Sequence, residues 1–432
     1  MTLQQSSNRP GAKIFRSERW KNDHSKSFLT KKPHAFSNDN SCCGTHSSID
    51  GNYEQSLKDK YNAALQKFRD QGLLEGVSVI DAVASPRSTG YRTHAKLAVR
   101  RAKERAIKAI HEDRFAIGLF QPQTHEVVPI KNCPMHRESI NRLLPDLQAE
   151  LEASSLQPYC EETHTGDLRY IAIRASHLTE EVMLTFVTLE ETAKVELKAM
   201  ILRLRQKEHT IVAAFQNVNP NRTNVIFGSL TKKLVGADGL RESLCGLTFE
   251  IAPTSFFQVN PWQASLIYRR VEQLAGQRSN AAVAWDLYCG TGQISLLLAQ
   301  QGFRPLGIEE NPQAIHDAEA NIIRNGLKIT PPPAFIAGRV EDLDGCFPEW
   351  AEKPELIVAN PSRKGLAPAA RELVLNGLNQ RPGSRLIYIS CEGETLIRDL
   401  LELTKAGHKL LQLECFDMFP YTEKLEWLAI VQ

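Results

Sequence analysis

The sequence predicts an α/β protein in two parts, a doubly wound sheet over 251–432 preceded by an α+β domain over 51–250. Three observations predict it. From about residue 251 the chain alternates apolar β-like runs, tight loops and helical runs, as parallel strands joined by helices do. The glycines of "DLYCGTG" (286–292) fall where one such run meets a helix. Upstream, short β-like runs are interspersed with helical stretches without that strict alternation.

Residues 1–50 are polar, basic and poor in aliphatics, and are expected to be a disordered tail. Leu57, Tyr61, Leu65 and Phe68 recur at helical spacing, predicting a helix over 53–73 with Gly72 as its stop. The stretch 90–114 carries Arg92, Lys96, Arg100, Arg101, Lys103, Arg105 and Lys108, which reads either as a solvated face or as a phosphate-tracking surface. In the middle region "RYIAIRAS", "VMLTFVT", "TIVAAFQNVN" and "VIFGS" read as strands, and 137–152 and 189–205 as helical. Beyond 251, "AVAWDLY", "PLGIEE", "AFIAG", "ELIVA", "RLIYIS" and "KLEWLAIVQ" read as strands. "ISLLLAQQG" reads as a helix, and Asn311–Pro312 as the cap and first turn of another.

The net charge of +2 gives no global nucleic-acid signature. No run of 18 apolar residues occurs, so no membrane span is expected. Nine scattered cysteines, an odd number, fit a reducing cytoplasmic setting better than a disulfide scaffold.

Four positions fall at expected strand ends, where an open α/β sheet places its ligands. In "DLYCGTG", Gly290 and Gly292 allow a tight turn and close backbone approach to a ligand. Glu309, about 20 residues on, can accept hydrogen bonds from ribose hydroxyls. Ser295 stands where a dinucleotide fingerprint wants its third glycine, and Asp286 leads the loop in the style of an S-adenosylmethionine pocket. "NPSRKGL" (360–366) offers the Asn360 amide to a base edge and Arg363 or Lys364 to phosphate. Cys391 follows "RLIYIS" and is open to three readings, as filler, as half of a metal site or disulfide, or as a nucleophile. Glu426, with Glu423 as its rival, is the candidate carboxylate. Phe256 and Phe257 are a core pair or a wall beside a base, with Gln258 next to them.

Taken in series, "SFFQVNP", "WDLYCGTG", "GIEENPQAI", "ANPSRKGL", "YISCEGETLIRDL" and "DMFPYTEKLE" resemble the RNA uridine-C5 methyltransferase family, which uses S-adenosylmethionine. The likeness extends upstream through "LRYIAIR", "NVNPNRTNVIFG", "THEVVPIKNCPMH" and "GYRTHAK". It implies a Rossmann-like class I methyltransferase domain over 251–432 and an RNA-recognition domain over 51–250. It implies Cys391 as nucleophile and Glu426 as general base, with Gln258, Tyr288, Glu309 and Asn360 holding S-adenosylmethionine or the target base edge. No N-terminal TRAM (OB-like) domain is legible, so the chain resembles the branch that methylates 23S ribosomal RNA; a tRNA-directed branch shares that trait. A monomer acting on RNA is expected. Uracil C5 is too poor a nucleophile to take a methyl group unaided, and a thiolate adding to C6 would activate it.

Three departures stand out. Ser362 replaces the second proline of the family's Asp/Asn-Pro-Pro-Arg. Relatives bind an iron–sulfur cluster through four cysteines; here Cys43 and Cys133 match, but His46 stands at a third position and adjacent Cys42 is a poor substitute, so neither cluster nor metal is expected. The third is the long basic tail. Two rival readings are a catalytically degenerate RNA-binding paralogue and a cytosine-C5 enzyme.

Overall fold

The computed structural model describes residues 52–102, 113–121, 123–207, 210–278, 282–327, 330–343 and 347–432. The tail, Cys42, Cys43, His46 and residues 103–112 of the basic stretch lie outside the described residues.

Two sheets organise the chain. The C-terminal sheet contains five parallel strands: β1 (Ala282–Leu287), β2 (Phe303–Glu309), β3 (Ala334–Ala337), β4 (Leu356–Ala359) and β5 (Arg385–Ser390). Their order is β3-β2-β1-β4-β5. The chain therefore reverses direction across the sheet between β1 and β4, which opens a crevice at their C-terminal ends. On the far side β6 (Leu410–Phe416) runs parallel to these five, β7 (Glu426–Val431) is inserted antiparallel between β5 and β6, and the short strand Ser78–Val79 edges β6.

Runs such as Leu-Ile-Val-Ala in β4 are apolar at every position because helices cover both faces. Helices Pro261–Ala275 and Gln293–Gln300 pack on one face. Helices Tyr53–Asp70, Pro368–Asn379 and Gly393–Lys405 pack on the other. This is the doubly wound arrangement that the alternation predicts. The helix Tyr53–Asp70 falls in the expected 51–250 segment, yet its buried stripe seals the C-terminal sheet, where Tyr61 and Phe68 lie against Trp427. The hairpin Leu240–Leu244/Leu247–Ile251 likewise joins the core beneath Pro261–Ala275.

The middle sheet has seven strands, in the order Val127–Pro129, Phe115–Phe120, His94–Arg101, Leu168–Ala175, Val182–Thr188, Ile211–Val218, Leu230–Gly236. Helices Glu138–Glu152 and Lys194–Gln206 bury their apolar stripes on one of its faces. "VIFGS" is not a strand. The Asn217 side chain bonds both the N–H and the C=O of Gly228, and the Asn219 amide donates to the carbonyls of Val225 and Ile226. Side chains thus satisfy backbone groups that a ladder would otherwise need.

Candidate active site

Four predicted residues stand in a row at the C-terminal ends of the parallel strands. Tyr288 follows β1, Glu309 ends β2, Asn360 follows β4 and Cys391 follows β5. The last strand supplies the fifth. Ser390 of β5 pairs with Trp427 of β7, so the next step of the antiparallel register sets Cys391 beside Glu426.

The β1 loop turns tightly. Tyr288, Gly290 and Gly292 have φ of 64°, 56° and 82°, in the left-handed region that glycine adopts without cost. A Cβ on Gly292 would also come within 2.9 Å of the Ala318 side chain. Glu309 is tied to this loop: its two oxygens accept from the backbone N–H groups of Gly290 (3.2 Å) and Asn311 (3.0 Å). Burial raises its pKa, and those two N–H groups oppose the rise. A carboxylate offers about four lone-pair sites, so two remain for ribose hydroxyls.

Beneath the loop Asp286 is fully buried, and its Oδ2 accepts from the Ser295 hydroxyl at 2.6 Å. Ser295, which breaks the dinucleotide fingerprint, therefore has a structural task that the fingerprint hides. Asp286 Oδ1 finds no partner among the described residues, and burial pushes this carboxyl up to about 7. A left-handed glycine loop, a tethered carboxylate with spare acceptor sites and an orphaned buried acceptor together fit an adenosyl ligand bearing an amino group.

The reacting end differs. Glu426 is 3% exposed, and burial pushes it up to about 8. Burial also pushes the half-buried Cys391 thiol up to about 11; the Glu426 charge adds to the rise and the Arg363 cation opposes it. Glu423 is exposed and stands outside the strand, so the register distinguishes it from Glu426.

Gln258 is half-buried and its side chain acts on the buried Tyr268 hydroxyl, which also feels the charges of Glu426 and Asp286. The two phenylalanines before it separate: Phe257 packs against Phe249 in the core, and Phe256 is 63% exposed at the rim. The segment is fixed from several sides. Thr93, just before the middle-sheet strand His94–Arg101, donates its N–H to the Val259 carbonyl at 2.8 Å, and the Asn260 amide donates to Ser85 Oγ and to the Met418 carbonyl.

Sequence reasoning missed Asp399. It is fully buried in the helix after Cys391. It accepts from Tyr388 Oη (2.7 Å), the Leu366 N–H (2.8 Å) and Arg371 (2.9 Å), while Arg398 bridges it to the carbonyls of Lys364 and Leu366. This hub holds the 360–366 loop. Its only sequence signal is an acid one residue after Arg398 in a strongly amphipathic helix.

Among the described residues, no group of three or more His, Cys, Asp or Glu is placed to hold a metal, and no helix is long and apolar enough to cross a membrane.

A family model described as tRNA (Uracil-5-)-methyltransferase matches residues 351–431, the span that carries Asn360, Cys391 and Glu426. A protein of Geobacter sulfurreducens, described as an uncharacterized RNA methyltransferase, is 33% identical over 395 residues, which cover 90% of this chain and 76% of that one. One of Listeria innocua with the same description is 30% identical over 392 residues, covering 90% of this chain and 82% of its own. The crystal structure of Pyrococcus abyssi tRNA (uracil-54, C5)-methyltransferase in complex with S-adenosyl-L-homocysteine matches with a TM-score of 0.67 at 25% identity, covering 88% of this chain and 84% of that one.

Proposed function

The chain belongs to the RNA uracil-C5 methyltransferase family, and from that premise we propose that it methylates C5 of one uridine in a structured RNA, with Cys391 as nucleophile and Glu426 as base. The observation that carries this reading is the β5–β7 register, which sets a thiol and a carboxyl side by side on the same rim as the glycine loop, with β4 between. S-adenosylmethionine is the cofactor, and it supplies an electrophilic methyl group on a sulfonium.

The target base would leave its stack to reach this rim. The Cys391 thiol would give its proton to solvent and the thiolate would add to uracil C6, moving the C5=C6 electron pair toward C5 and the C4 carbonyl. C5 would then take the methyl group as its bond to the sulfonium breaks, leaving the cofactor as a neutral thioether. The Glu426 carboxylate removes the C5 proton, the pair re-forms C5=C6, and the thiolate leaves. A base of pKa about 8 is better matched to that proton than an ordinary carboxylate. Glu309 would accept from the ribose, Tyr288 and Gln258 would wall the ligand, and Asn360 would meet the edge of the base.

The RNA proposed is 23S ribosomal RNA, the target that the motif resemblance implies, and the protein would act there as a cytoplasmic monomer. A tRNA uridine is the second reading, favoured by the likeness to the Pyrococcus abyssi enzyme. Incubating the protein and S-adenosylmethionine with 5-fluorouridine-substituted ribosomal or transfer RNA tests both. Fluorine replaces the proton that the base must remove, so a denaturant-stable adduct through Cys391 should accumulate on one of the two RNAs. A failure to trap either RNA, or trapping through another residue, would overturn the mechanism.

A further inference from the structure

Among the described residues no helix packs on the other face of the middle sheet, which Ile226, Phe227 and Leu240 cover in part. Along His94–Arg101 the side chains of Ala95, Leu97 and Val99 enter the core beneath the helices, so His94, Lys96, Ala98 and Arg100 share the opposite face. The neighbouring strand pairs Arg174 with His94 and Tyr170 with Ala98, and so extends the same face. Basic and aromatic groups interleave there. Lys96 Nζ lies 5.1 Å from the Phe227 ring centre, and the Arg100 guanidinium lies 5.1 Å from that of Phe120 and 5.5 Å from that of Tyr170.

Where these rings converge the face sinks into a cavity of about 640 Å³. Its one acid, Glu161, is already engaged by His125 and Arg100. Lys96 and Arg222 on its wall form no ion pair among the described residues. Arg169, also on the wall, is 2% exposed; its Nη1 and Nη2 donate to the carbonyls of Asn219, Asn221 and Thr223, and its Nε finds no acceptor among the described residues. A positive, aromatic-lined hollow of this size suits a flat ring carrying a phosphate.

The other end of the face leads to the reacting rim. Arg174 Nη2 donates to the Ser255 carbonyl at 2.8 Å, one residue before exposed Phe256. The strand from His94 to Arg100 spans about 20 Å, the reach of a few nucleotides.

We propose that this cavity binds the base of one unstacked nucleotide of the substrate RNA, a few nucleotides from the reacting uridine, with Lys96 and Arg222 on adjoining phosphates. The inference rests on the reading of the protein as an RNA-modifying enzyme. It makes the cavity end of this face a single-nucleotide site, a sharper role than general attraction to phosphate, while His94 and Arg174 at the other end are buried.

The test is an abasic scan of the ribosomal and transfer RNA substrates, run without 5-fluorouridine and independently of trapping, reading the dissociation constant with wild type and with Phe120→Leu, Lys96→Ala and Arg222→Ala. None of these residues lies at the rim. One flanking abasic position should weaken wild-type binding about tenfold, and the same abasic change should cost Phe120→Leu almost nothing. Lys96→Ala and Arg222→Ala should each lower the salt slope of log affinity by about one, with S-adenosylmethionine affinity unchanged. If wild type forms the 5-fluorouridine adduct but no abasic position couples to Phe120, the cavity assignment is overturned and the methylation reading stands. If one position couples but no RNA is trapped, the cavity assignment stands and the methylation reading falls.

Discussion

Burial raises the acids at both ends of the candidate site, and the two ends differ in what fixes those acids. At the glycine loop, Glu309 accepts two backbone N–H groups and Asp286 accepts a hydroxyl, so both carboxyls are positioned before any ligand arrives. At the reacting end, burial alone pushes Glu426 up to about 8, and Cys391 is raised to about 11. One end is organised for binding, where fixed donors and acceptors cut the ordering cost. The other, on the proposed reading, moves protons, and there a carboxyl raised to about 8 accepts one more readily than an ordinary carboxylate.

Breaking the reacting end should have the largest effect. Cys391→Ala is expected to lower methylation on the order of 10^6-fold, to below detection, while S-adenosylmethionine still binds within about twofold by calorimetry. A loss of both together would mean that the two ends are not separable.

Glu426→Gln comes next. Turnover should fall on the order of 100-fold or more, and unlike Cys391→Ala it should accumulate a covalent adduct with ordinary uridine RNA, visible as a gel shift. In wild type the rate should rise with pH through about 8 as Glu426 loses its proton, and the variant should lack that limb. Stability carries the same signature. The folded pKa lies above the unfolded value of about 4.3, so the contribution of Glu426 is fully present below that value and is lost as pH rises through about 8. Thermal melting of Glu426→Gln should therefore sit above wild type by several degrees at pH 9 and close to it at pH 5.

Glu309→Gln probes the binding end. The amide would turn an NH2 toward one of two N–H donors, Gly290 or Asn311, and leave that donor unpaired. Calorimetry should show S-adenosylmethionine binding about tenfold weaker, with turnover at saturating cofactor within about threefold. A fall in saturated turnover comparable to that of Glu426→Gln would erase the contrast between the ends.

How legible this was in the sequence depended on the range of the interactions. The alternation beyond 251 reports a local fact, a strand buried on both faces, and the parallel sheet follows from it. The partner of an amphipathic helix is not local. Leu57, Tyr61, Leu65 and Phe68 declare an apolar stripe, but not that it closes over Trp427. Period-two alternation over His94, Lys96, Ala98 and Arg100 was present in "HAKLAVRR", yet so dense a charge run reads equally well as a solvated surface. Asp399 resembles any acid on a polar helix face, because only the folded 360–366 loop supplies the donors that bury it.

That hub bears on the departure at Ser362, and gives the smallest effect expected. A second proline would stiffen the loop by lowering the entropy of the unfolded chain. Here the loop is already held at its far end by Asp399 on the Leu366 N–H and by Arg398 on two carbonyls, and in between by the Gly365 N–H on the Ser362 carbonyl at 2.9 Å. The Ser362 N–H makes no hydrogen bond among the described residues and its side chain is exposed, so a proline there would remove no donor and displace no contact. Ser362→Pro is therefore expected to change kcat/KM by less than about twofold and to raise the melting temperature by no more than a few degrees. A large gain in rate would mean that loop order limits the reaction and that the Asp399 network holds the loop less firmly than its bonds imply. A large loss would mean that the Ser362 hydroxyl itself meets the substrate.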